Sequence, residues 1–466
     1  MVLTRNEFVG LVRNTIAGLG FAPEEAIVTF PINLFLAESD LSPIKENLDK
    51  FIEGLTTWQP IVKRGRSLRP PKVEKVEIEG KDYEEAAIIM NTLFLRNLWG
   101  DGLPLVPPTE ERVNWILRGT DISPEIEIGR IMPRGGIATV QTLAISLAMA
   151  GGRPEYLPVL IAAIKAIIDP ALNHQQFQVT SCSVFPVAII NGQIAKQIRL
   201  NSGFGLLGPA PQHPAGGVIG RAIRLIQQNV GGAIPGSGTM AMFGGMRYTN
   251  AVFAEDEEGL PLGWEPFGNE YFGAARGVNS VTVVPASGAT NILRRGTGKE
   301  TLEEEVITSL YIIASYLRSF NVNSFAEDGN GTQLTSGDLT GRPLGVLLIS
   351  STVAVQLANL GWNKSKIREF LWENTKIPLS KLRNTGFIRW IEYYGNTTEK
   401  LPDPWPITSK PENIMIVIAG GRHPTHAYWL QSAFASKAVN REINLPSNWG
   451  ELINEAEKEL GPIIID

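Results

Sequence analysis

The sequence predicts an α/β protein of several layers, in which mixed sheets are flanked by helices. Short apolar runs typical of buried strands alternate with helical patterns along most of the 466 residues. Strands are predicted at 183–191, 278–285, 344–350 and 414–419, with helical patterns between successive strands. This alternation favours an α/β architecture, because strands and helices bury their apolar faces against one another.

Composition restricts the class of protein. The chain has 43% hydrophobic and 19% charged residues, which is ordinary for a globular protein with a large core. A net charge of −5 gives no basic surface for a nucleic acid or an anionic membrane. The single cysteine excludes an intrachain disulfide, residues 1–7 lack a signal-peptide profile, and the most apolar helical stretch, 156–168, is too short to span a bilayer. We expect a cytoplasmic protein without a membrane segment.

Three segments are predicted along the chain. Residues 1–75 hold a helix at 7–18, a strand at 26–30, a helix at 43–55 and a Pro-rich linker, which make a partial N-terminal β-α unit. Residues 76–300 form the main α/β domain, and residues 301–466 form a second α/β domain. The small first unit leaves a sheet edge open, so it must dock on the rest of the chain or on another subunit.

The helices of the larger segments follow from periodicity and capping residues. A helix at 82–96 leads into a loop, and Thr109 is the predicted N-cap of a helix at 110–119. The stretch 157–168 is apolar nearly all round, which predicts a buried helix. Further helices are predicted at 214–228, 301–320, 353–360 and 364–374.

The loop between the first two of these helices, Asp101-Gly-Leu-Pro-Leu-Val-Pro-Pro-Thr109, is predicted to be rigid. Gly102 permits backbone angles closed to other residues, whereas its three prolines fix their own angles and push their neighbours toward extended geometry. Such a constrained loop is suited to shaping the wall of a site.

Cys182, His423 and His426 are candidate catalytic residues. Cys182 precedes a predicted strand among hydroxyl side chains that suit a thiolate, although a lone cysteine often only fills space. The histidines follow the strand at 414–419 and a Gly-Gly turn, at the carboxyl end where α/β proteins bind ligands. Each is suited to act as proton donor, anion contact or metal ligand, and a solvated loop is the alternative.

Two further stretches are candidate binding segments. The acidic run 254–258 suits a cation or a carboxyl group with a raised pKa, and a solvated turn is the alternative. Gly203-Phe-Gly-Leu-Leu-Gly208 matches the dinucleotide fingerprint, but prolines at 209 and 211 stand where that motif needs a helix, so we reject a Rossmann site. Glycines before Arg221 open a helix whose amides and guanidinium suit a carboxylate or phosphate, with close helix packing as the alternative.

Several motifs, in order, resemble one bacterial family, whose members often carry an N-terminal UGSC-type domain named for a selenocysteine- or cysteine-Gly-Ser-Cys motif. The motifs are residues 101–109, 153–158, 191–192, 254–258 with Trp264-Glu-Pro266, and 361–372. The resemblance covers most of residues 95–435. Residues 1–60 resemble the second half of the N-terminal domain, and the half with the redox motif is missing.

The resemblance implies a hetero-oligomer in which a smaller subunit supplies the Gly-Ser-Cys motif and this chain supplies the pocket. The expected pocket is lined by residues 101–109, 254–258 and 421–426. The expected catalytic residues are Cys182, His423, His426 and Glu255, and the expected substrate-binding residues are Asp101, Glu155, Tyr156, Arg221 and Glu257. Two family histidines are replaced, one within Ser351-Thr-Val-Ala-Val355 and one at Phe30-Pro31.

Three functions stay open from the sequence. The leading hypothesis is a subunit of a heteromeric enzyme that acts on a small organic molecule by thiol- or selenol-linked redox chemistry or by cleavage of a carbon–heteroatom bond. The second is a metal-dependent hydrolase or lyase that uses the histidines with the acidic run. The third is a non-catalytic assembly or binding subunit, which the missing histidines favour. The residues specify neither a cofactor nor a metal.

Overall fold

The computed structural model describes residues 2–18, 27–30, 40, 42–57, 73–248, 250–293, 299–319, 345–382, 403–408, 410–433 and 437–464. The predicted α/β class is confirmed, because helices cover a large mixed sheet. The strands are β1 Val2–Arg5, β2 Ile27–Phe30, β3 Glu127–Ile131, β4 Gly136–Thr139, β5 Phe185–Asn191, β6 Ala251–Ala254, β7 Ser280–Leu293, β8 Gly345–Ile349, β9 Ile414–Ile418, β10 His426–Ser432 and β11 Val439–Glu442.

Sixteen α-helices lie within the described ranges. They are α1 Val9–Gly18, α2 Ser42–Glu46, α3 Leu48–Thr56, α4 Tyr83–Arg96, α5 Glu110–Leu117, α6 Val140–Met149, α7 Leu157–Ile167, α8 His174–Val179, α9 Ile194–Gln197, α10 Ala215–Asn229, α11 Phe267–Phe272, α12 Leu302–Arg318, α13 Ser351–Asn359, α14 Lys364–Asn374, α15 Leu379–Leu382 and α16 Trp449–Leu460. The predicted cap at Thr109 is present, and Asp82 caps α4 in the same way, since both side chains accept hydrogen bonds from backbone N–H groups in the first turn. No described helix is both long and apolar enough to cross a membrane.

One seven-stranded sheet organises the molecule. Its strands run in the order β6-β5-β7-β10-β8-β9, and β11 pairs with β7 beyond the end of β10. The pairs β5–β6 and β8–β9 are parallel, and the other pairs are antiparallel. Strands from both larger segments predicted from the sequence, 76–300 and 301–466, therefore share this sheet.

The two halves of the sheet have the same arrangement. The order β7-β5-β6 in one half matches the order β10-β8-β9 in the other, so the halves are related by an approximate two-fold axis between β7 and β10. Glu255 donates its N–H to the carbonyl of Ile190, and Ala419 does the same to Ile349, at 3.1 and 3.0 Å. Glu255 at the end of β6 thus occupies the position that Ala419 occupies at the end of β9.

The sheet curls until its two edge strands meet at their carboxyl ends. Asp256, just after β6, donates its N–H to the carbonyl of Ile418 in β9 at 2.7 Å. The concave face has its own apolar core, built from Val187, Val284, Val346, Val417 and their neighbours. Curling satisfies edge groups that an open sheet would expose.

Helices cover the convex face in two groups. The outer side chains of β5, β6 and β7 share a core with α5, α6, α7, α10 and α16. Those of β8, β9 and β10 share a separate core with α12, α13 and α14. The predicted buried helix is α7, in which every residue except Lys165 is buried.

The large sheet includes residues that the sequence does not predict as strand. The prediction ends the third strand at Pro285, but β7 continues to Leu293. Pro285 lies opposite Pro186 of β5, so neither residue of this pair has an N–H group to donate across it. His426, expected in a loop, is the first residue of β10 and pairs with Leu293.

The N-terminal unit contains a two-stranded parallel sheet. β1 and β2 pair in register from Val2 with Ile27 to Arg5 with Phe30, and α1 packs beside them. Within the described residues neither strand has a second neighbour.

Candidate functional site

A cavity of about 630 Å³ lies at the carboxyl ends of β8 and β9, on the concave side of the sheet. Its size is within the range of sites for small organic ligands. Its floor includes the buried side chains of Leu206, Leu348 and Ala419. Its rim includes His423 and His426, which are exposed.

One wall of the cavity is a glycine-rich loop, residues 201–209. This loop is anchored where the two edge strands meet. The carbonyls of Asn201 and Ser202 accept hydrogen bonds from the N–H groups of Ala254, at 2.9 Å, and Gly420, at 2.8 Å. The Asn201 side chain also braces the loop through Gly203 N–H and the Phe204 carbonyl, both at 2.8 Å. The loop is therefore attached to both edge strands.

Glycine is required where this loop meets the turn after β9. Gly420 has φ of +100°, a left-handed value that disfavours other residues. A Cβ at Gly421 would overlap the ring of Phe204, which stands over that turn. The Gly-Gly pair singled out in the sequence thus allows loop and turn to pack together and form the cavity mouth.

The two histidines are linked through Thr425. Thr425 donates its backbone N–H to Nδ1 of His423 at 3.3 Å, so this nitrogen is an acceptor and the ring carries its proton on Nε2. The Thr425 hydroxyl lies 2.9 Å from the same Nδ1, and we assign it as the donor in this contact. Its oxygen is then the acceptor for Nδ1–H of His426, 3.3 Å away.

This hydrogen bonding assigns opposite roles to the outer nitrogens of the neutral rings. Nε2 of His423 carries a proton, whereas Nε2 of His426 carries a lone pair. The ring centroids are 4.9 Å apart with nearly perpendicular planes. The cavity rim therefore carries two neighbouring imidazoles, one assigned as a proton donor and the other as a proton acceptor.

Three other polar side chains line the cavity. Ser350 donates to the carbonyl of His423 at 3.0 Å and caps α13 by accepting from Val353 N–H, which fixes the histidine turn to the end of β8. Asn291 and Tyr428 are paired residues on β7 and β10. Burial raises the pKa of the Tyr428 hydroxyl, so it stays a protonated donor at neutral pH. Among the lining residues that the structure describes there is no aspartate or glutamate.

Glu255 lies outside this cavity, in contrast to its expected place in the pocket wall. Its carboxylate is fully buried and accepts hydrogen bonds from Asn191 Nδ2 at 2.7 Å and Phe267 N–H at 2.6 Å. Burial raises the pKa of Glu255, although Lys364 and these hydrogen bonds oppose that rise. Its Oε1 also faces the N–H of Ile418 at 3.5 Å, so Glu255 joins the edge strands.

A buried ion network surrounds Glu255. Lys364 Nζ is 3.8 Å from Glu255 Oε1 and 2.9 Å from Glu270 Oε2, and only 4% of its side chain is exposed. Arg368 binds the other oxygen of Glu270 at 2.7 Å and donates to the Tyr271 hydroxyl. In the first half of the sheet, these residues occupy the place that the cavity occupies in the second half.

Glu257, Asp101 and Arg221 are also committed to other contacts. Glu257 Oε1 accepts from Asn191 Nδ2 at 2.9 Å and Gly192 N–H at 2.7 Å. Arg221 binds both oxygens of Asp101 at 2.7 and 2.9 Å and donates to the Pro104 carbonyl at 2.9 Å. Burial opposes ionisation of Asp101, but Arg221 outweighs it and lowers the pKa of Asp101. The expected anion contact thus holds the rigid 101–109 loop against α10.

Glu155 and Tyr156 lie at the start of α7, away from the cavity lining. Both side chains are buried, and Arg153 links Glu155, at 2.5 Å, to Glu459 of α16, at 2.7 Å. Burial raises the pKa of both groups. Their place in the helical layer favours a role in packing α7 against α16.

Cys182 is exposed in the loop before β5 and does not line the cavity. Its backbone N–H donates to Thr180 Oγ1 at 3.1 Å. Among the described residues no group of three His, Cys, Asp or Glu side chains is placed to hold a metal ion. The histidine pair and the acidic run, combined in the metal hypothesis, therefore form no such group.

Of the nine predicted site residues, the cavity brings together His423 and His426. Its lining also includes Asn291, Tyr428 and the 203–209 loop, which sequence reasoning did not assign to the site. The spacing of the glycines in that loop could have indicated that it lines the site. The rejection of a Rossmann fingerprint there agrees with the structure, since the next helix, α10, begins only at Ala215.

Comparison with known proteins adds no relative. No family model matches the chain, and no match is found among curated proteins or solved structures. The resemblance to the UGSC-type family therefore stays a prediction based on motifs.

Proposed function

We propose that this chain is a subunit of an enzyme that transfers protons on a small organic molecule, with His426 as the base and His423 as the acid. The histidine pair at the cavity rim carries this proposal, because Thr425 orients one Nε2 lone pair and one Nε2–H toward the outside of the pair. General acid–base catalysis needs groups that exchange protons near neutral pH, and imidazole does so.

The reaction that best suits such a pair is elimination across a carbon–heteroatom bond. His426 would take a proton from carbon as a carbon–carbon double bond forms. His423 would give its Nε2 proton to the departing heteroatom as the carbon–heteroatom bond breaks. The electron pair of the broken C–H bond enters the double bond, so this step consumes no oxidant or reductant.

A partner subunit belongs to the same proposal. Two-stranded parallel sheets are rarely stable alone, and β1 and β2 have no further strand neighbours among the described residues. A smaller chain that completes this sheet would also bring the Gly-Ser-Cys motif predicted from the family resemblance. Since Cys182 does not line the cavity, thiol or selenol chemistry there would come from that chain.

The test starts from the protein purified from its native host, with its partners identified by mass spectrometry. His423→Gln and His426→Gln are each expected to lower kcat by about 10²- to 10⁴-fold, with a smaller change in KM. His213→Gln is the matched control, because His213 does not line the cavity. Wild-type kcat in both cavity variants would refute the acid–base roles.

A binding subunit without catalysis is the second candidate, favoured because the described lining residues include neither a cysteine nor a carboxylate. It predicts that both histidine variants bind ligand more weakly while the complex keeps its turnover at saturating substrate. The enzyme proposal predicts the opposite pattern.

A further inference from the structure

We infer that the cavity binds an amphipathic anion, in which an apolar chain of several carbons ends in a carboxylate. This inference gives the class of ligand for the site of the proposed function. It rests on that function only for the part of the ligand at which the reaction takes place. It follows from the separation of polar and apolar groups along the cavity, and from the sign of the groups at its rim.

The polar part of the lining provides three hydrogen-bond donors beside the one acceptor nitrogen of His426. His423 presents Nε2–H, Tyr428 a protonated hydroxyl and Asn291 a side-chain amide. Within the described part of the lining there is no carboxylate, which an ammonium ligand would need as a partner. An anion is therefore stabilised at this rim, whereas a cation would lose hydration without a counter-charge.

The floor is apolar. Leu206, Leu348 and Ala419 point from the loop, β8 and β9 into the concave side, and each is at most 9% exposed. Leu207 extends this surface along the loop wall. Burying a methylene group on such a surface contributes about 0.8 kcal/mol, or about fourfold in Kd.

These two surfaces set the orientation of the ligand. Its chain enters first and contacts the floor, while its carboxylate stays at the rim where water and donors solvate it. The histidines are on that rim, so the carbons next to the carboxylate are the ones brought to the acid and the base. This agrees with an elimination close to the anionic end.

The direct test is calorimetric titration of the purified protein with hexanoate, octanoate and decanoate, and with octylamine as a chain of opposite charge. We expect Kd to fall about fourfold per added methylene. We also expect octanoate to bind at least tenfold more tightly than octylamine. Equal affinity for octanoate and octylamine, or no dependence on chain length, would overturn the inference.

Two variants test the two ends of the cavity separately. Leu207→Asn is expected to reduce the gain per methylene below twofold, and Asn291→Leu to reduce the preference for octanoate over octylamine. Leu262→Asn is the matched control for the first change, because Leu262 is fully exposed and lies outside the lining. Similar effects of the 207 and 262 variants on octanoate binding would contradict the assigned floor.

Failure of this inference is distinguishable from failure of the proposed function. If alkanoates do not bind while His423→Gln and His426→Gln abolish turnover, the ligand class is wrong and the acid–base roles stand. If octanoate binds as expected while both variants keep wild-type kcat, the ligand class stands and the acid–base roles are wrong.

Discussion

Replacement of Lys364 by methionine tests how the curled sheet is held together. The change removes the ammonium group beside Glu255 and Glu270 and leaves the fully buried Glu255 carboxylate without a nearby cation. Breaking a buried ion pair from one side costs about 3–5 kcal/mol. At about 2 °C per kcal/mol for a large cooperative unit, Tm should fall by about 6–10 °C in differential scanning calorimetry.

The pH dependence of this loss provides an internal check. Burial raises the pKa of Glu255 in the folded state, and loss of Lys364 raises it further. The folded protein then binds more protons than the unfolded chain between the two pKa values, so the free energy of unfolding falls as pH rises through that window. The Tm loss of Lys364→Met should therefore be smaller at pH 5 than at pH 8.

Two further variants separate charge from packing. Adding Glu255→Gln to Lys364→Met removes the unpaired charge and should restore part of the lost Tm. Lys196→Met is the matched control, because Lys196 and Glu258 form an exposed pair and the expected change is about 1 kcal/mol or less. A Tm loss below 2 °C for Lys364→Met, or simple additivity with Glu255→Gln, would refute the proposed role of the network.

Three other variants test the cavity and its surroundings. Gly421→Ala displaces the exposed Phe204 ring, so it should change Tm by less than about 2 °C yet weaken octanoate binding about tenfold in calorimetry. Arg221→Lys loses the bidentate contact with Asp101 and should cost about 1–3 kcal/mol, seen as a lower Tm and faster proteolysis within 101–109. Cys182→Ser should leave turnover of the native complex unchanged, and iodoacetamide should modify Cys182 fully in the folded protein.

Each of these has a control or a contradicting result. Phe204→Ala combined with Gly421→Ala makes room for the new methyl group, so octanoate affinity should partly return. Arg276→Lys is the control for Arg221, since its pair with Glu265 is exposed and should contribute little. The lowered pKa of Asp101 means that its contribution is present above the unfolded pKa and lost as pH falls through the folded one. Loss of turnover in Cys182→Ser would mean that the Cys182 thiol takes part in the reaction.

Helices, strands and caps were predictable where they depend on residues close together in sequence. The helix at 364–374 has its predicted bounds, and the strand predicted at 414–419 is β9, because periodicity and apolar runs determine such elements directly. The caps at Asp82 and Thr109 follow from the same short-range chemistry. A cavity lies at the carboxyl end of β9, where the sequence predicts a ligand site.

The parts of the site that could not be predicted depend on contacts between residues far apart in sequence. Glu255 and Lys364 are more than one hundred residues apart and meet because the sheet curls, so Glu255 appears free in sequence and is buried in the fold. Arg221 and Asp101 are likewise far apart in sequence and form their ion pair only in the fold. The cavity likewise needs the 203–209 loop to pack on Gly421, a contact that no local pattern indicates.

The most direct test of the central claim is nitrogen-15 NMR of protein labelled at its four histidines, recorded before and after addition of octanoate. The imidazole nitrogen shifts report which ring nitrogen carries the proton. We predict Nε2–H for His423 and Nδ1–H for His426 at neutral pH, with both rings shifted by octanoate and the His174 and His213 signals unchanged. The same tautomer in both rings, or no response to octanoate at either ring, would contradict the acid–base pair and its place at the ligand site.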